Sequence, residues 1–369
     1  MSNNRETMIK TLHKLAKKDS DIYFVCMDGI ESTHFEEIRK DIGTERIINC
    51  GISEQNAVGF SAGLSLQGKK VFIICCAFFL TTRAYEQIKL DLAYNNANVT
   101  ILAIKSGIAS DVSGGYSHWG ADDIGLLKDL PNTVIANCAT MNELQYYIEK
   151  STDYNGFMYI ADEWPGNTFN PLYKIEQKKF SKVIDGNDFI IIATGNALKY
   201  AWNLTQQFYS KGKRALLLSA HSIKPFDKEG LIKLINKNIP IITIDEHTAG
   251  GLTSITSQII AEYGKPVRYL PVYVSTEECN LVGGYSFIAQ RTMHLDSIFN
   301  RIENILDKKR KSLFSYFLTN KIKFIKDGRK NITYYLFGCL PILKTKQRPN
   351  NTKKKIKNKY YLFGFIKII

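Results

Sequence analysis

Three short segments carry side chains that could do chemistry. Gly51-Ile52-Ser53-Glu54-Gln55-Asn56 puts a carboxylate where a strand gives way to a helix, with glycine before it and an apolar helix after it. Such a glutamate is either a helix-start acid favoured by the macrodipole or, if apolar surroundings enclose it, a group with its pKa raised for proton exchange. In Ala77-Phe78-Phe79-Leu80-Thr81-Thr82-Arg83-Ala84-Tyr85-Glu86-Gln87, two adjacent aromatic rings follow a strand. Phe side chains in that position belong to a core or form a flat apolar platform. Gly114-Gly115-Tyr116-Ser117-His118 sets an imidazole behind two glycines, whose missing side chains let a ligand approach the backbone. Without that context a loop histidine is simply solvated.

These segments need a scaffold that ends its strands side by side. Short β-branched runs at 22–27, 70–75, 99–104 and 134–136 alternate with amphipathic patterns at 5–17, 54–66, 83–92 and 121–127. That alternation predicts a parallel sheet covered by helices on both faces. Residues 164–182, with Pro165, Gly166, Asn167, Pro171 and many charges, read as a linker. A second alternating set follows, with strands near 189–194, 214–219, 240–245 and 268–271. The expected organisation is α/β, two doubly wound domains plus a basic tail: 1–165, a linker at 166–187, 188–306, and 307–369.

The chain has 369 residues and a net charge of +14. Residues 308–369 hold 18 Lys and Arg against one acid, Asp327, so this tail carries +17 and leaves the body at −3. A near-neutral body with a basic tail is a different object from a basic protein, and no nucleic-acid partner is expected. Seven cysteines (Cys26, Cys50, Cys75, Cys76, Cys138, Cys279, Cys339) show no C-x-x-C spacing and lie mostly in apolar runs. They read as reduced thiols of a cytoplasmic protein. The N-terminus lacks the apolar stretch of a signal peptide. In the tail, Tyr334-Tyr335-Leu336-Phe337-Gly338 recurs as Tyr360-Tyr361-Leu362-Phe363-Gly364. Lysines beside such aromatic groups suit contact with an anionic bilayer at the inner membrane face. RNA binding and a solvated disordered tail are the other readings.

In their order and spacing the three segments resemble the pyrimidine-binding half of transketolase, a thiamine-diphosphate enzyme. The likeness continues through Thr194-Gly195-Asn196, Ile223-Lys224-Pro225-Phe226-Asp227 and Asp245-Glu246-His247 with Gly250-Gly251, which resemble the transketolase C-terminal domain. The resemblance implies that Glu54 shares a proton with the aminopyrimidine ring and favours its reactive imino form. It implies that Phe79, with Phe78 the second choice, carries the pyrimidine face, and that His118 bonds the donor's hydroxyl. Ile30 would replace the family's apolar prop, because Gly29 follows Asp28 where Leu or Ile is usual. Asp122 and Asp123 receive no catalytic role.

Two departures shape the expected function. No G-D-G occurs in the chain, so no metal ligand is assigned here, and Mg²⁺ and the diphosphate would be held by a separate N-terminal subunit, as in split transketolases of α2β2 form. The family's Y-I-R-x-x-R segment, which helps to hold a sugar phosphate, is here Tyr159-Ile160-Ala161-Asp162-Glu163-Trp164. Lost Arg donors and added acids disfavour a phosphate there. The expected activity is therefore transfer of a two-carbon ketol unit between modified or nucleotide-activated sugars, in surface-polysaccharide synthesis. The rivals are a 2-oxo-acid dehydrogenase E1 β-type subunit, 1-deoxyxylulose-5-phosphate synthase, and a non-catalytic scaffold that kept the fold.

Overall fold

The computed structural model describes residues 3–28, 35–108, 114–162 and 168–307, and in the tail 318–326, 329–336, 340–346, 361–362 and 366–367. Residues 1–305 form one compact unit and 306–369 another.

The first unit holds two sheets. In chain order the first sheet's strands are β1 (Ile22–Cys26), β2 (Ile47–Asn49), β3 (Lys70–Cys76), β4 (Val99–Ile104), β5 (Thr133–Cys138) and β6 (Phe157–Asp162). The second sheet contains β7 (Ser181–Ile184), β8 (Phe189–Ala193), β9 (Ala215–Ser219), β11 (Ile241–Ile244) and β12 (Tyr269–Val272). Between β9 and β11 lies β10 (Ser222–Lys224), which leaves its own sequence neighbours and pairs antiparallel with β5. The spatial orders are β10-β5-β6-β4-β3-β1-β2 and β12-β11-β8-β9-β7. All pairings are parallel except at the β10 and β7 edges.

Every residue of β4, β5, β6, β8, β9 and β11 is buried. This explains why those strands read as continuous apolar runs rather than as alternating patterns. Alternate residues serve two cores on opposite faces of the first sheet. Val25, Ile73, Ile101 and Tyr159 lie in one, and Phe24, Phe72, Leu102 and Ile160 in the other. Truncating one such Ile or Leu to Ala would cost about 2–5 kcal/mol.

The helices are α1 (Asn4–Lys18), α2 (Glu36–Ile42), α3 (Glu54–Leu66), α4 (Ala77–Arg83), α5 (Asp123–Leu127), α6 (Met141–Ser151), α7 (Ala197–Ser210), α8 (Lys228–Asn236), α9 (Leu252–Tyr263), α10 (Tyr285–Met293) and α11 (Leu295–Asp307). The sequence pattern gives one helix over 83–92, and the chain is helical there apart from a break at Ala84. α4 stops at Arg83, Ala84 leaves helical geometry at φ −114°, and one α-helical turn at Tyr85–Gln87 passes into a π-helix at Ile88–Tyr94. Strands β2 and β10 are three residues each, too short for periodicity to reveal.

The tail unit carries an antiparallel sheet in the order β13-β14-β15-β16-β17, from Leu318–Lys326 through Arg329–Leu336, Leu340–Lys346 and Tyr361–Leu362 to Ile366–Lys367. The sequence pattern did not predict these strands. No helix among the described residues is long and apolar enough to cross a membrane.

Candidate active site

In the first sheet the chain runs from β1 outward to β2, then back across to β3 and β4. The direction of winding thus reverses between β1 and β3. Open parallel sheets bind ligands at such a reversal, outside the carboxyl ends of the strands. Glu54 follows β2, Phe78 and Phe79 follow β3, and His118 follows β4.

The turn that delivers Glu54 is fixed from below. Asn49 Oδ1 accepts the amides of Gly51 at 2.9 Å and Asp28 at 3.1 Å, and Ser53 Oγ donates to Cys50 O at 2.6 Å. Gly51 takes φ +67°, a backbone state that side-chain-bearing residues avoid. The chain therefore turns sharply into α3 and buries Glu54, whose relative exposure is 6%. Arg83 Nη1 donates to Glu54 Oε1 at 2.7 Å, and the same guanidinium lies over the Phe79 ring with Cζ 4.0 Å from the centroid.

Phe79 is partly exposed, whereas Phe78 is buried beneath it. Their rings meet edge to face at 4.5 Å. His118 sits 5.1 Å from the Phe78 ring and 5.3 Å from that of Phe79, centroid to centroid. Ser117 Oγ is 3.0 Å from His118 Nδ1. A Cβ on Gly114 would fall 2.5 Å from His118 Cγ, so the glycine leaves space that the imidazole uses. Four of the sequence-predicted residues, Glu54, Phe78, Phe79 and His118, are thus linked by contacts through the aromatic pair and Arg83. Ile30 lies outside the described residues.

Behind the histidine loop a buried polar cluster joins the two sheets. His247 is fully buried, with Nδ1 2.7 Å from Asp245 Oδ1 and Nε2 3.0 Å from both Asp123 Oδ1 and Ser106 Oγ. Tyr159 Oη and Ser106 Oγ donate to Asp123 Oδ2 at 2.5 and 2.6 Å. Burial opposes the imidazolium, but the carboxylates of Asp245 and Asp123 outweigh it and hold the His247 pKa well above its ordinary value. Thr248 N donates to Ala121 O at 2.7 Å, and Gly107 and Gly120 exchange backbone bonds at 3.1 and 2.9 Å. Gly125 and Gly250 approach so closely that a Cβ on either would meet the other's Cα at 3.2–3.4 Å. The loop bearing His118 is therefore anchored through both sheets.

Next to this junction, buried Glu246 accepts from Tyr285 Oη at 2.5 Å and Asn196 Nδ2 at 3.0 Å. Burial raises its pKa to about 7 despite those donors.

Two features of the site are not legible in the sequence. Arg83 served there only to mark the register of Phe79, although its position four residues on in a helix puts its guanidinium within reach of that ring. Asp123, given no catalytic role from the sequence, opens α5 and also pairs with His247 across the sheet boundary; nothing local signals a partner so distant in sequence.

The family profile for the transketolase pyrimidine binding domain matches residues 2–161, and that for the transketolase C-terminal domain matches 179–282. One subunit of the apulose-4-phosphate transketolase of Phocaeicola vulgatus is 33% identical over 280 residues, covering 74% of this chain and 89% of that protein. The chain belongs to the transketolase family. The corresponding apulose-4-phosphate transketolase subunit of Actinobacillus succinogenes is 30% identical over 264 residues, covering 70% of this chain and 84% of that protein. Among solved structures, a chain described as a split gene transketolase, inactive β4 tetramer, superposes with a TM-score of 0.71 at 26% identity, covering 84% of this chain and 99% of that one. Transketolase membership makes the chain a transferase of that type. It also sets the question that the site must answer, whether these residues fit an aminopyrimidine. The Arg83 guanidinium, a planar nitrogen-bearing group, lies over the Phe79 ring while donating to Glu54, so the residues present have room and partners for a group of that kind.

Proposed function

We propose that this chain is the pyrimidine-binding subunit of a two-chain, thiamine-diphosphate-dependent transketolase that moves a two-carbon ketol unit between sugars. The observation that carries this is the convergence of a buried carboxyl group, Glu54, with a partly exposed aromatic ring, Phe79, at the reversal of the sheet. Bound there, the cofactor would supply the carbanion equivalent that holds the two-carbon fragment. Glu54 would share a proton with the ring nitrogen, and Phe79, backed by Phe78, would carry the ring face. Ile30 would take the place of the family's apolar prop. His118, oriented by Ser117 and by the space at Gly114, bonds the hydroxyl beside the donor carbonyl.

A partner is required for the rest. The chain contains no G-D-G, so Mg²⁺ and the diphosphate fall to an N-terminal subunit in an α2β2 assembly. The exposed side chains of Ile52 beside α3, Phe60 on α3, and Leu90 and Tyr94 on the adjoining π-helix offer that subunit an apolar surface. The inactive β4 description of the structural neighbour supports the same division of labour. Thr82-Arg83-Ala84-Tyr85-Glu86-Gln87 and Ser117-His118 favour transketolase over an E1 β-type subunit.

For the substrate we propose a modified or nucleotide-activated sugar used in surface-polysaccharide synthesis. Ala161 stands where the family has an arginine and is fully buried at the end of β6, and Asp162 beside it takes a bond from Asn4 Nδ2 at 2.9 Å. Neither offers a donor to a phosphate. Both apulose-4-phosphate transketolases are named for a phosphosugar, so ribose 5-phosphate is the discriminating acceptor: efficient transfer onto it by the reconstituted pair refutes this substrate class. For the tail at 307–369, where residues 308–369 carry +17, we propose contact with anionic lipid at the inner membrane face of the cytoplasm; removal of the tail abolishes liposome flotation if so.

The central test is calorimetric binding of thiamine diphosphate with Mg²⁺ to this chain alone and to the chain assembled with its N-terminal subunit. Binding by the pair only, lost in Glu54→Ala, is expected. A Glu54→Ala pair that binds and turns over normally would return the chain to the status of a scaffold.

A further inference from the structure

Arg83 makes the two contacts that the aminopyrimidine is assigned. Its guanidinium lies over Phe79, the ring proposed to carry the pyrimidine face, with Cζ 4.0 Å from the ring centroid. It donates from Nη1 at 2.7 Å to Glu54 Oε1, the carboxyl proposed to meet the ring nitrogen. A guanidinium is planar and delocalised, with its donors in the plane. An aminopyrimidine bearing a proton on its ring nitrogen presents the same face and the same in-plane N–H. Both groups cannot occupy one side of one ring, and a guanidinium has no acceptor with which to share a proton. While Arg83 holds Oε1, the carboxyl cannot use that oxygen for the exchange that activates the ring.

The arrangement is suited to exchange rather than permanent closure. Glu54 is 7% exposed at its side chain but Arg83 is 46% exposed, so one partner is fixed in the fold and the other has solvent to move into. Arg83 ends α4, and Ala84 after it has already left helical geometry. A cation at the last turn also has the helix's terminal carbonyls as an alternative resting place. An ion pair with one half-exposed member contributes little net stability, so a ligand can displace it without a large penalty.

We propose that Arg83 is the resident occupant of the aminopyrimidine site, and that the cofactor enters by displacing its guanidinium from Phe79 and Glu54. This rests on the roles proposed above for those two residues. Arg83 then sets the affinity of the site for the pyrimidine, because the fraction of chains with the guanidinium out of place is the fraction able to bind.

The test is titration of the chain, assembled with its N-terminal subunit, with thiamine, which carries the aminopyrimidine but no phosphate, in the absence of metal. If fewer than about one chain in ten has the site open, Arg83→Ala binds thiamine about tenfold or more tightly than the unsubstituted chain. Arg83→Lys, whose ammonium cannot lie flat on a ring, falls between them. Equal or weaker binding by Arg83→Ala, or binding by none of the chains, overturns the displacement. Adding Glu54→Ala to Arg83→Ala should abolish the gain; a gain that survives places thiamine elsewhere and overturns both the displacement and the role of Glu54. If Arg83→Ala gains nothing while Glu54→Ala still abolishes thiamine diphosphate binding by the assembled pair, the displacement alone fails. A second readout needs no loss of the side chain. In the assembled pair, the arginine ¹⁵N signal that is missing from Arg83→Lys should shift and sharpen on addition of thiamine diphosphate and Mg²⁺; an unmoved signal refutes displacement.

Discussion

Replacing His247 by Asn should unfold the junction between the two sheets at lower denaturant. The imidazole lies between Asp245 at 2.7 Å and Asp123 at 3.0 Å, with all three side chains fully buried. Removing one partner from a buried ion pair costs about 3–5 kcal/mol, because the charge left behind has lost both its counter-ion and its water. Here the remaining carboxylates keep other donors: Ser106 and Tyr159 hydroxyls on Asp123 Oδ2, and the Leu252 amide on Asp245 Oδ2 at 2.8 Å. That places the loss at the lower end, about 3 kcal/mol. The assay is urea unfolding of both chains at pH 7, read from the midpoint with the slope unchanged. The pH dependence has a definite sign. A folded-state pKa raised above 6.5 means that the stability from the imidazolium is fully present below 6.5 and is lost as pH rises through the folded value. The gap between wild type and His247→Asn should therefore narrow toward alkaline pH. Combining it with Asp123→Asn should recover part of the loss, since the orphaned charge is gone. A loss under about 1 kcal/mol, or a gap that widens with pH, would refute the assignment of His247 as a buried cation.

Three further outcomes can be checked. Gly114→Ala forces the His118 ring away, because the new Cβ would sit 2.5 Å from its Cγ; ketol transfer by the pair should fall about a hundredfold with the circular dichroism spectrum unchanged. Glu246 shares with His247 a raised pKa and a stability lost as pH rises, but its charged form is the one that burial disfavours. Its pKa of about 7 lies above the unfolded value of 4.5, so folding loses stability as pH rises from 4.5 to 7, and Glu246→Gln should match wild type below 4.5 and exceed it at pH 8 in thermal melts. Phe79→Ala in the assembled pair should weaken thiamine diphosphate binding measured by calorimetry more than Phe78→Ala does, because Phe79 is the more exposed ring of the two.

The sequence carried the strands that are wholly buried, since β4, β8 and β9 are apolar runs of ordinary length, and it carried the family because Glu54, Phe79 and His118 each sit inside a recognisable segment. It did not carry β10, which is three residues long and pairs outside its own sequence neighbourhood. Nor did it carry the pairing of Arg83 with Glu54, which joins residues on α4 and α3. The same holds for Asp123 and His247. In each case the missing information is a long-range contact between polar groups, and such contacts leave no periodic trace in the chain that makes them.

The strand β10 also bears on how this protein can be cut. Ser222–Lys224 covers the outer edge of β5, and Lys224 Nζ reaches across to the carbonyls of Lys128 at 2.9 Å and of Leu130, beyond the end of α5. A fragment ending in the stretch between the sheets would keep all the proposed catalytic side chains yet present β5 as an open, apolar edge, a template for sticking to its own kind. A minimal fragment that carries these side chains without an open β5 edge must therefore extend past residue 224.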